Sequence, residues 1–344
     1  MTHLLNVYSG PNARRDFIDP DKRPYISLVE LREAYLNPFL NEGVRIFAKL
    51  MYEAPCLNIK SLVALEIFRS ALNKGMLRGV DKIVEHSSGN FALALAAVGK
   101  MFGFVDVESY VPADIASGKE LALAIAGVKY TKLADVAGQK SGIELSRKAG
   151  RERGVFCPQQ YHNEANPAAH EKWTAAQVWE QTGGKISVFC SALGTSGTVI
   201  GARRFFERHS AQVLILGALS APNTTIPGVR TVQKLQEVGL DWRRAVDCHY
   251  EVTERAALRL SLELIRSTIM AGPSSGAALA AVHELIAEKV RKFQLNRLRN
   301  EDGEVIVVFI CSDTFYPYVE LYGKMFAQDE APESPEPAMC RVAV

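Results

Sequence analysis

From about Val44 onward, short apolar runs rich in β-branched residues alternate with longer stretches in which apolar residues return every three or four positions. The short runs fit strands and the 3.6-residue period fits amphipathic helices, so the alternation predicts an α/β protein with a mostly parallel sheet. Strands are expected over 45–51, 82–86, 107–111, 186–191, 212–218 and 304–310. Helices are expected over 59–74, 91–102, 166–181, 198–207, 253–269 and 276–289. In the first of these, Ile59, Leu62, Val63, Ile67, Phe68 and Ala71 share one broad face and Gly75 supplies a natural stop. No internal repeat is visible. From about Ala327 the chain combines prolines and acids with few large apolar groups, which predicts a disordered tail.

Composition narrows the class. Over 344 residues the formal charge is +2, with 48% hydrophobic and 23% charged residues. A disordered chain carries less hydrophobicity and a nucleic-acid binder a larger basic excess, so neither is expected. The length supports one large domain or two. Six scattered cysteines, Cys56, Cys157, Cys190, Cys248, Cys311 and Cys340, form no CxxC pair and no zinc spacing with histidine, the pattern of a reduced intracellular protein. Cys157, Cys190 and Cys311 lie in apolar runs and read as buried packing residues, and His86, His162, His170 and His249 show no metal spacing. No apolar run approaches the ~20 residues that span a bilayer. The expectation is a cytoplasmic protein with no metal, nucleic-acid or membrane partner.

Three strand-to-helix junctions carry the candidate chemistry. Gly194-Thr195-Ser196-Gly197-Thr198 follows a predicted strand and opens a helix. Glycines allow close approach, and N–H groups at a helix start with hydroxyls beside them suit a phosphate. Alone, the plainer reading is a helix-capping turn. The spacings of nucleotide-binding glycine loops are absent. His86-Ser87-Ser88-Gly89-Asn90 offers hydroxyls, an amide and helix-start N–H groups, which can hold a carboxylate or simply cap a helix. Lys60 stands in the first turn of an apolar helix, where the positive end of the helix dipole would depress its amine, as an imine-forming lysine requires. A solvent-facing lysine is the alternative.

An imine-forming lysine, a phosphate cup and a carboxylate cup together are the minimum set for pyridoxal phosphate with an amino-acid substrate. With these motifs in this order the chain resembles the fold-type II pyridoxal-phosphate enzymes, specifically the cysteine synthase (O-acetylserine sulfhydrylase) and cystathionine β-synthase group. The resemblance runs over roughly 26–318. It includes Pro158-Gln159-Gln160-Tyr161-His162-Asn163-Glu164-Ala165-Asn166-Pro167, similar to the family's QQF-NPANP segment, and Ala271-Gly272-Pro273-Ser274-Ser275-Gly276-Ala277-Ala278, similar to its GISSGAA segment.

The resemblance implies two three-layer α/β domains with mostly parallel sheets: residues 1–50 plus 165–326 as the larger cofactor-phosphate domain, 51–164 containing a smaller mobile one, and 327–344 as the tail. It implies that Lys60 bonds pyridoxal 5′-phosphate as an imine and later moves the substrate α-proton. Asn90 would meet the cofactor's 3′-oxygen, and Gly194, Thr195, Ser196, Gly197 and Thr198 its phosphate. Ser274 would face the pyridine nitrogen; a hydroxyl there does not keep that nitrogen protonated, which favours β-elimination over full carbanion chemistry. Ser87, Ser88, Gly89, Asn90 and Gln160 would hold the substrate carboxylate. The activity implied is β-replacement on an O-activated L-serine through an aminoacrylate, in a homodimer.

Departures from the family pattern concern the second substrate. Ser61-Leu62 replaces Asp-Arg after the lysine, and Phe91 replaces a threonine beside the carboxylate loop. Ile26-Ser27-Leu28-Val29-Glu30-Leu31 stands for TPLVRL. The glycine-rich gate becomes 225–231, which contains Arg230, and the serine-glycine segment after the last strand becomes Cys311-Ser312-Asp313-Thr314-Phe315-Tyr316. Arg230 reads as a candidate ligand for an anionic substrate group or as a solvated surface arginine. The nucleophile is sulfide, as in cysteine synthesis, or an amino-acid amine, giving diaminopropionate-type products of secondary metabolism. A serine/threonine dehydratase on the same cofactor and a non-catalytic binding protein of the same fold are the competing readings.

Overall fold

The computed structural model describes residues 6–87, 89–134, 141–209, 212–329 and 341–342. Its strands are β1 (Leu28–Leu31), β2 (Val44–Lys49), β3 (Lys82–His86), β4 (Asp106–Pro112), β5 (Lys129–Leu133), β6 (Val155–Phe156), β7 (Val188–Ala192), β8 (Leu214–Ser220), β9 (Cys248–Val252), β10 (Val305–Ile310) and β11 (Arg341–Val342). Its α-helices are α1 (Ala13–Ile18), α2 (Lys60–Asn73), α3 (Asn90–Gly99), α4 (Ser117–Ile125), α5 (Gly142–Ala149), α6 (Ala165–Ala169), α7 (Ala176–Gln181), α8 (Gly197–Arg208), α9 (Glu254–Arg266), α10 (Pro273–Arg291) and α11 (Val319–Asp329).

The strands form two sheets. One has seven strands in the order β1-β2-β10-β7-β8-β9-β11, parallel through its centre with antiparallel β1 and β11 at its edges. The other has four parallel strands in the order β5-β4-β3-β6. Every residue of β10 is buried, as expected of a central parallel strand covered on both faces. In β4 buried and half-buried positions alternate, and β5, at the sheet edge, buries none of its residues fully.

One apolar cluster reaches from the four-stranded sheet through α2 and α3 to a face of the larger sheet, joining Ile83, Val107, Phe68 and Leu95 to Phe189 and Val308. A second cluster fills the opposite face of the larger sheet beneath α9 and α10. The α9–α10 crossing is close: a Cβ on Gly276 would collide with the Ala257 carbonyl. All six residues expected on the inner face of the first long helix are buried.

The six expected strands overlap β2, β3, β4, β7, β8 and β10, and the six expected helices overlap α2, α3, α6 with α7, α8, α9 and α10, with most ends shifted by a few residues. The 166–181 stretch is interrupted by a π-turn at His170–Ala175, a feature that often marks functional sites. Of the expected tail, residues through Asp329 continue α11 and Arg341–Val342 pair with Tyr250 and His249 of β9; 330–340 and 343–344 lie outside the described residues. The loops after β3 and β7 leave the carboxyl ends of parallel strands, where open α/β sheets place their ligands.

Candidate active site

A cleft of ≈ 830 Å³ lies at those loop ends, lined by residues of both sheets' loops, among them Lys60, Asn90, Gln160, Thr195 and Ser274. Lys60 is the first residue of α2, and its backbone N–H donates to Asn58 Oδ1 at 3.0 Å. The entry to this helix is strained: Cys56 and Leu57 both have positive φ, at 66° and 55°, a conformation rare in residues with a β-carbon and common around active sites. The Ile59 N–H donates to the Ser312 carbonyl at 2.9 Å, which ties the helix start to the segment after β10. Burial pushes the Lys60 amine down to about 8; Asp313 opposes the shift and Lys119 adds to it. Desolvation is therefore the chief cause.

The Gly194–Thr198 loop sits between β7 and α8. Ser196 caps the helix in a left-handed conformation (φ 66°) without donating or accepting a side-chain capping bond. A Cβ on Gly194 would come 2.7 Å from the Gly228 carbonyl, and one on Gly197 would collide with the Asn166 amide, so both positions need glycine. Asn166 Nδ2 donates to Thr195 Oγ1 and to the Gln160 carbonyl, each at 2.8 Å. His170 lies 3.4 Å from Thr198 Oγ1, and burial, with the Lys60 charge, pushes its imidazole down to about 3. The loop is thus buttressed by neutral groups and lines the cleft at the start of α8, where the first-turn N–H groups have no partner within the helix.

Across the cleft, Ser87 Oγ accepts from the N–H groups of Gly89 and Ala92 at 3.1 and 3.3 Å, so this serine does cap α3. Gly89 has φ 120°, and Ser88 lies outside the described residues. Gln160 is fixed twice: its N–H donates to Glu85 Oε2 at 3.1 Å and its Nε2 to the His86 carbonyl at 3.0 Å. Burial pushes Glu85 up to about 7, against the pull of the N–H groups of Gln160, His86 and Gln159. His86 is pushed down to about 4 by burial and by Arg230. Arg230 also lines the cleft and is not a free surface arginine. Its Nη1 donates to the Lys234 carbonyl at 2.7 Å and lies 3.5 Å from Glu237, and its guanidinium stands 4.8 Å over the Tyr161 ring. Phe91 turns into the apolar core, 1% exposed, with an edge on the cleft.

Asn90 opens α3 and donates through Nδ2 to Asp313 Oδ2 at 2.6 Å. The same oxygen accepts from the Tyr318 hydroxyl at 2.5 Å and lies 4.0 Å from Lys119 Nζ. Sequence reasoning noted Asp313 only as a departure, named Asn166 only within the 158–167 segment, and missed Lys119, Tyr318 and Glu85. Residues 117–125 were not expected to be helical, so no signal placed Lys119 in the site.

The residues fit pyridoxal phosphate: a buried amine at Lys60, a glycine cradle that admits no Cβ, and a Ser196 hydroxyl with no hydrogen-bond partner in the protein. The family model for pyridoxal-phosphate dependent enzymes matches residues 33–312. Cysteine synthase B of Pseudomonas aeruginosa is 30% identical over 272 residues, covering 77% of this chain and 85% of that protein. Cysteine synthase B of Escherichia coli is 29% identical over 273 residues, 79% of this chain and 86% of that one. Among solved structures, an O-ureido-L-serine synthase superposes with a TM-score of 0.75 at 23% identity, covering 95% of this chain and 98% of that one. Cysteine synthase of Entamoeba histolytica gives 0.72 at 24%, covering 93% and 91%. Those two likenesses speak to the fold. With the cleft, its desolvated lysine and the family match in agreement, the chain belongs to the pyridoxal-phosphate dependent enzymes.

Proposed function

We propose that this enzyme carries out β-replacement on an O-activated L-serine, O-acetylserine or O-phosphoserine, with sulfide or the amine of an amino acid as the incoming nucleophile. The observation that carries the reading is that Lys60, with its amine held near 8, opens on one cleft with two glycine–hydroxyl loops at helix starts. Pyridoxal phosphate, when bound, supplies the electron sink that lets an amino acid lose its α-proton and its β-substituent.

The chain's own groups do the rest. The Gly194–Thr198 loop and the first turn of α8 would take the phosphate, Asn90 would donate to the ring oxygen, and Ser274, in the first turn of α10, would meet the ring nitrogen. Ser87, Ser88, Gly89 and Gln160 hold the α-carboxylate, and Arg230 takes an anionic group of the leaving group or nucleophile. Lys60 accepts the proton from Cα; an amine near 8 has a useful neutral fraction at physiological pH. Residues 51–164, which carry the four-stranded sheet, move as a unit over the cleft and exclude water. Among the described residues no helix is long and apolar enough to cross a membrane. The reading takes the protein as a cytoplasmic homodimer, as in the enzymes it resembles, and sedimentation of the purified protein tests the dimer.

The experiment is an absorbance titration of the cofactor-loaded protein with O-acetylserine or O-phosphoserine and no nucleophile, followed by mass spectrometry with sulfide and with amino acids. The expected result is a shift of the visible band to longer wavelength with one activated serine, then a new C–S or C–N product. Pyruvate release without nucleophile would make it a dehydratase. Bound cofactor with no spectral response would make it a binding protein.

A further inference from the structure

Four side chains beside Lys60 have only one member, Asn90, in the chemistry above. Asp313 Oδ2 accepts from Asn90 Nδ2 and from the Tyr318 hydroxyl, at 2.6 and 2.5 Å. Lys119 Nζ lies 4.0 Å from that oxygen and 4.7 Å over the Tyr318 ring. Lys119 is 2% exposed and Asp313 4%. They come from different parts of the fold, Lys119 from α4 and Asp313 from the segment after β10. The fold makes room for the lysine: a Cβ on Gly89 would come 2.9 Å from Lys119 Cδ, and one on Gly118 2.7 Å from the Pro317 carbonyl. Two buried opposite charges are costly to assemble, and a single one left alone costs more.

We propose that Lys119 and Asp313 are positioning residues of the active site, which together set the charge around Lys60 and fix the direction in which the Asn90 amide faces the cofactor's ring oxygen. The inference rests on Lys60 being the cofactor lysine. A carboxylate only accepts hydrogen bonds, so Asn90 must turn its NH₂ toward Asp313. The second N–H of that group is then available to a ring oxygen, and the amide carbonyl, which would repel it, is turned aside.

The charge argument has a definite sign. Asp313 raises the Lys60 amine and Lys119 lowers it. Of the other titratable groups here, burial pushes His170 down to about 3 and raises Tyr318, Tyr322 and Cys311, while Lys119 itself is pushed down by burial and held up by Asp313. Glu254, Glu320 and Lys324 also line the cleft, but the charges that act on the Lys60 amine are Asp313 and Lys119. Lys119 and Asp313 are thus the opposing charges at Lys60, and removing them one at a time must move its amine in opposite directions. Loss of packing alone has no such sign.

The test strips the protein of cofactor and measures the rate of pyridoxal phosphate uptake against pH, since uptake needs the free amine of Lys60. Wild type should show a midpoint near 8. Asp313→Asn should lower it by about one pH unit and speed uptake at pH 7; Lys119→Met should raise it by about one unit and slow uptake about tenfold. Lys119→Arg should stay near wild type, and the Asp313→Asn/Lys119→Met double variant should return toward it. Midpoints that do not move, or that move in the same direction, overturn the proposal. Should Asp313→Asn fail to fold, the Lys119→Met and Lys119→Arg pair decides alone. Absence of uptake by wild type would instead overturn the cofactor role of Lys60. The pH dependence of Lys60 labelling by an amine reagent, read by mass spectrometry in the same variants, then decides the charge claim.

Discussion

At one end of the cleft the polar partners are neutral, and at the other they are charged. The Gly194–Thr198 loop is braced by the Asn166 amide and by His170, whose imidazole burial keeps uncharged. The Asn90 corner is braced by Asp313, with Lys119 beside it. A loop that receives a dianion needs N–H dipoles in fixed positions and no negative charge nearby, and neutral buttresses meet that need. A corner that must keep an amine partly deprotonated needs charges it can balance. In the proposed function the contrast separates affinity for the cofactor, assigned to the first end, from the adjustment of the Lys60 amine around its burial, assigned to the second.

The largest effect should come from Lys60→Ala. It removes the visible cofactor band and lowers turnover by at least about a thousandfold, read by absorbance and by steady-state kinetics. Next is Gly197→Ala, which forces a methyl group into the Asn166 amide. Overpacking of this kind costs about 1–3 kcal/mol, so cofactor affinity should fall roughly tenfold to a hundredfold while the KM of the cofactor-saturated enzyme stays near wild type. Equal losses in both would show that the two ends are not independent.

Ser87→Ala should have the converse pattern. The hydroxyl accepts the N–H groups of Gly89 and Ala92 at the start of α3, and losing such a cap costs about 1 kcal/mol. KM for the amino acid should rise about fivefold with cofactor affinity unchanged, measurable by comparing substrate saturation with cofactor titration.

The smallest effect is pH-dependent and belongs to Glu85. Its folded value, about 7, lies above the ordinary 4.5, so the native state binds more protons between those values. Its contribution to stability is full below about 4.5 and is lost as pH rises through about 7. Glu85→Gln does not titrate, so its melting temperature relative to wild type should climb by about 2–4 °C from pH 5 to pH 8. A constant offset would show that Glu85 does not titrate in this range.

The parts of this picture legible in the sequence are those built from local pattern. β7 and β10 are apolar enough to read directly, and Lys60 and the two glycine–hydroxyl junctions stand out by residue type. β1, β5 and β9 escaped notice because edge position, short length or mixed polarity dilutes the apolar signal. The charged corner was illegible for a different reason. Lys119 and Asp313 are far apart in the chain, and only the packing of α4 against residues 316–318 makes them neighbours. Lys119 alone looks like an ordinary surface lysine, and its 2% exposure is a property of the assembled fold. Glu85 is similar: nothing in the strand sequence shows that its carboxylate turns inward to hold the Gln160 backbone.

Two lysines, the half-buried Lys60 and the buried Lys119, line one cleft and make the central claim sharp, because only one of them can carry the cofactor. The most direct measurement is borohydride reduction of the purified protein after addition of pyridoxal phosphate, followed by digestion and mass spectrometry of the labelled peptide. The account predicts a pyridoxyl label on Lys60 and none on Lys119. A label on Lys119, or on neither, would contradict it.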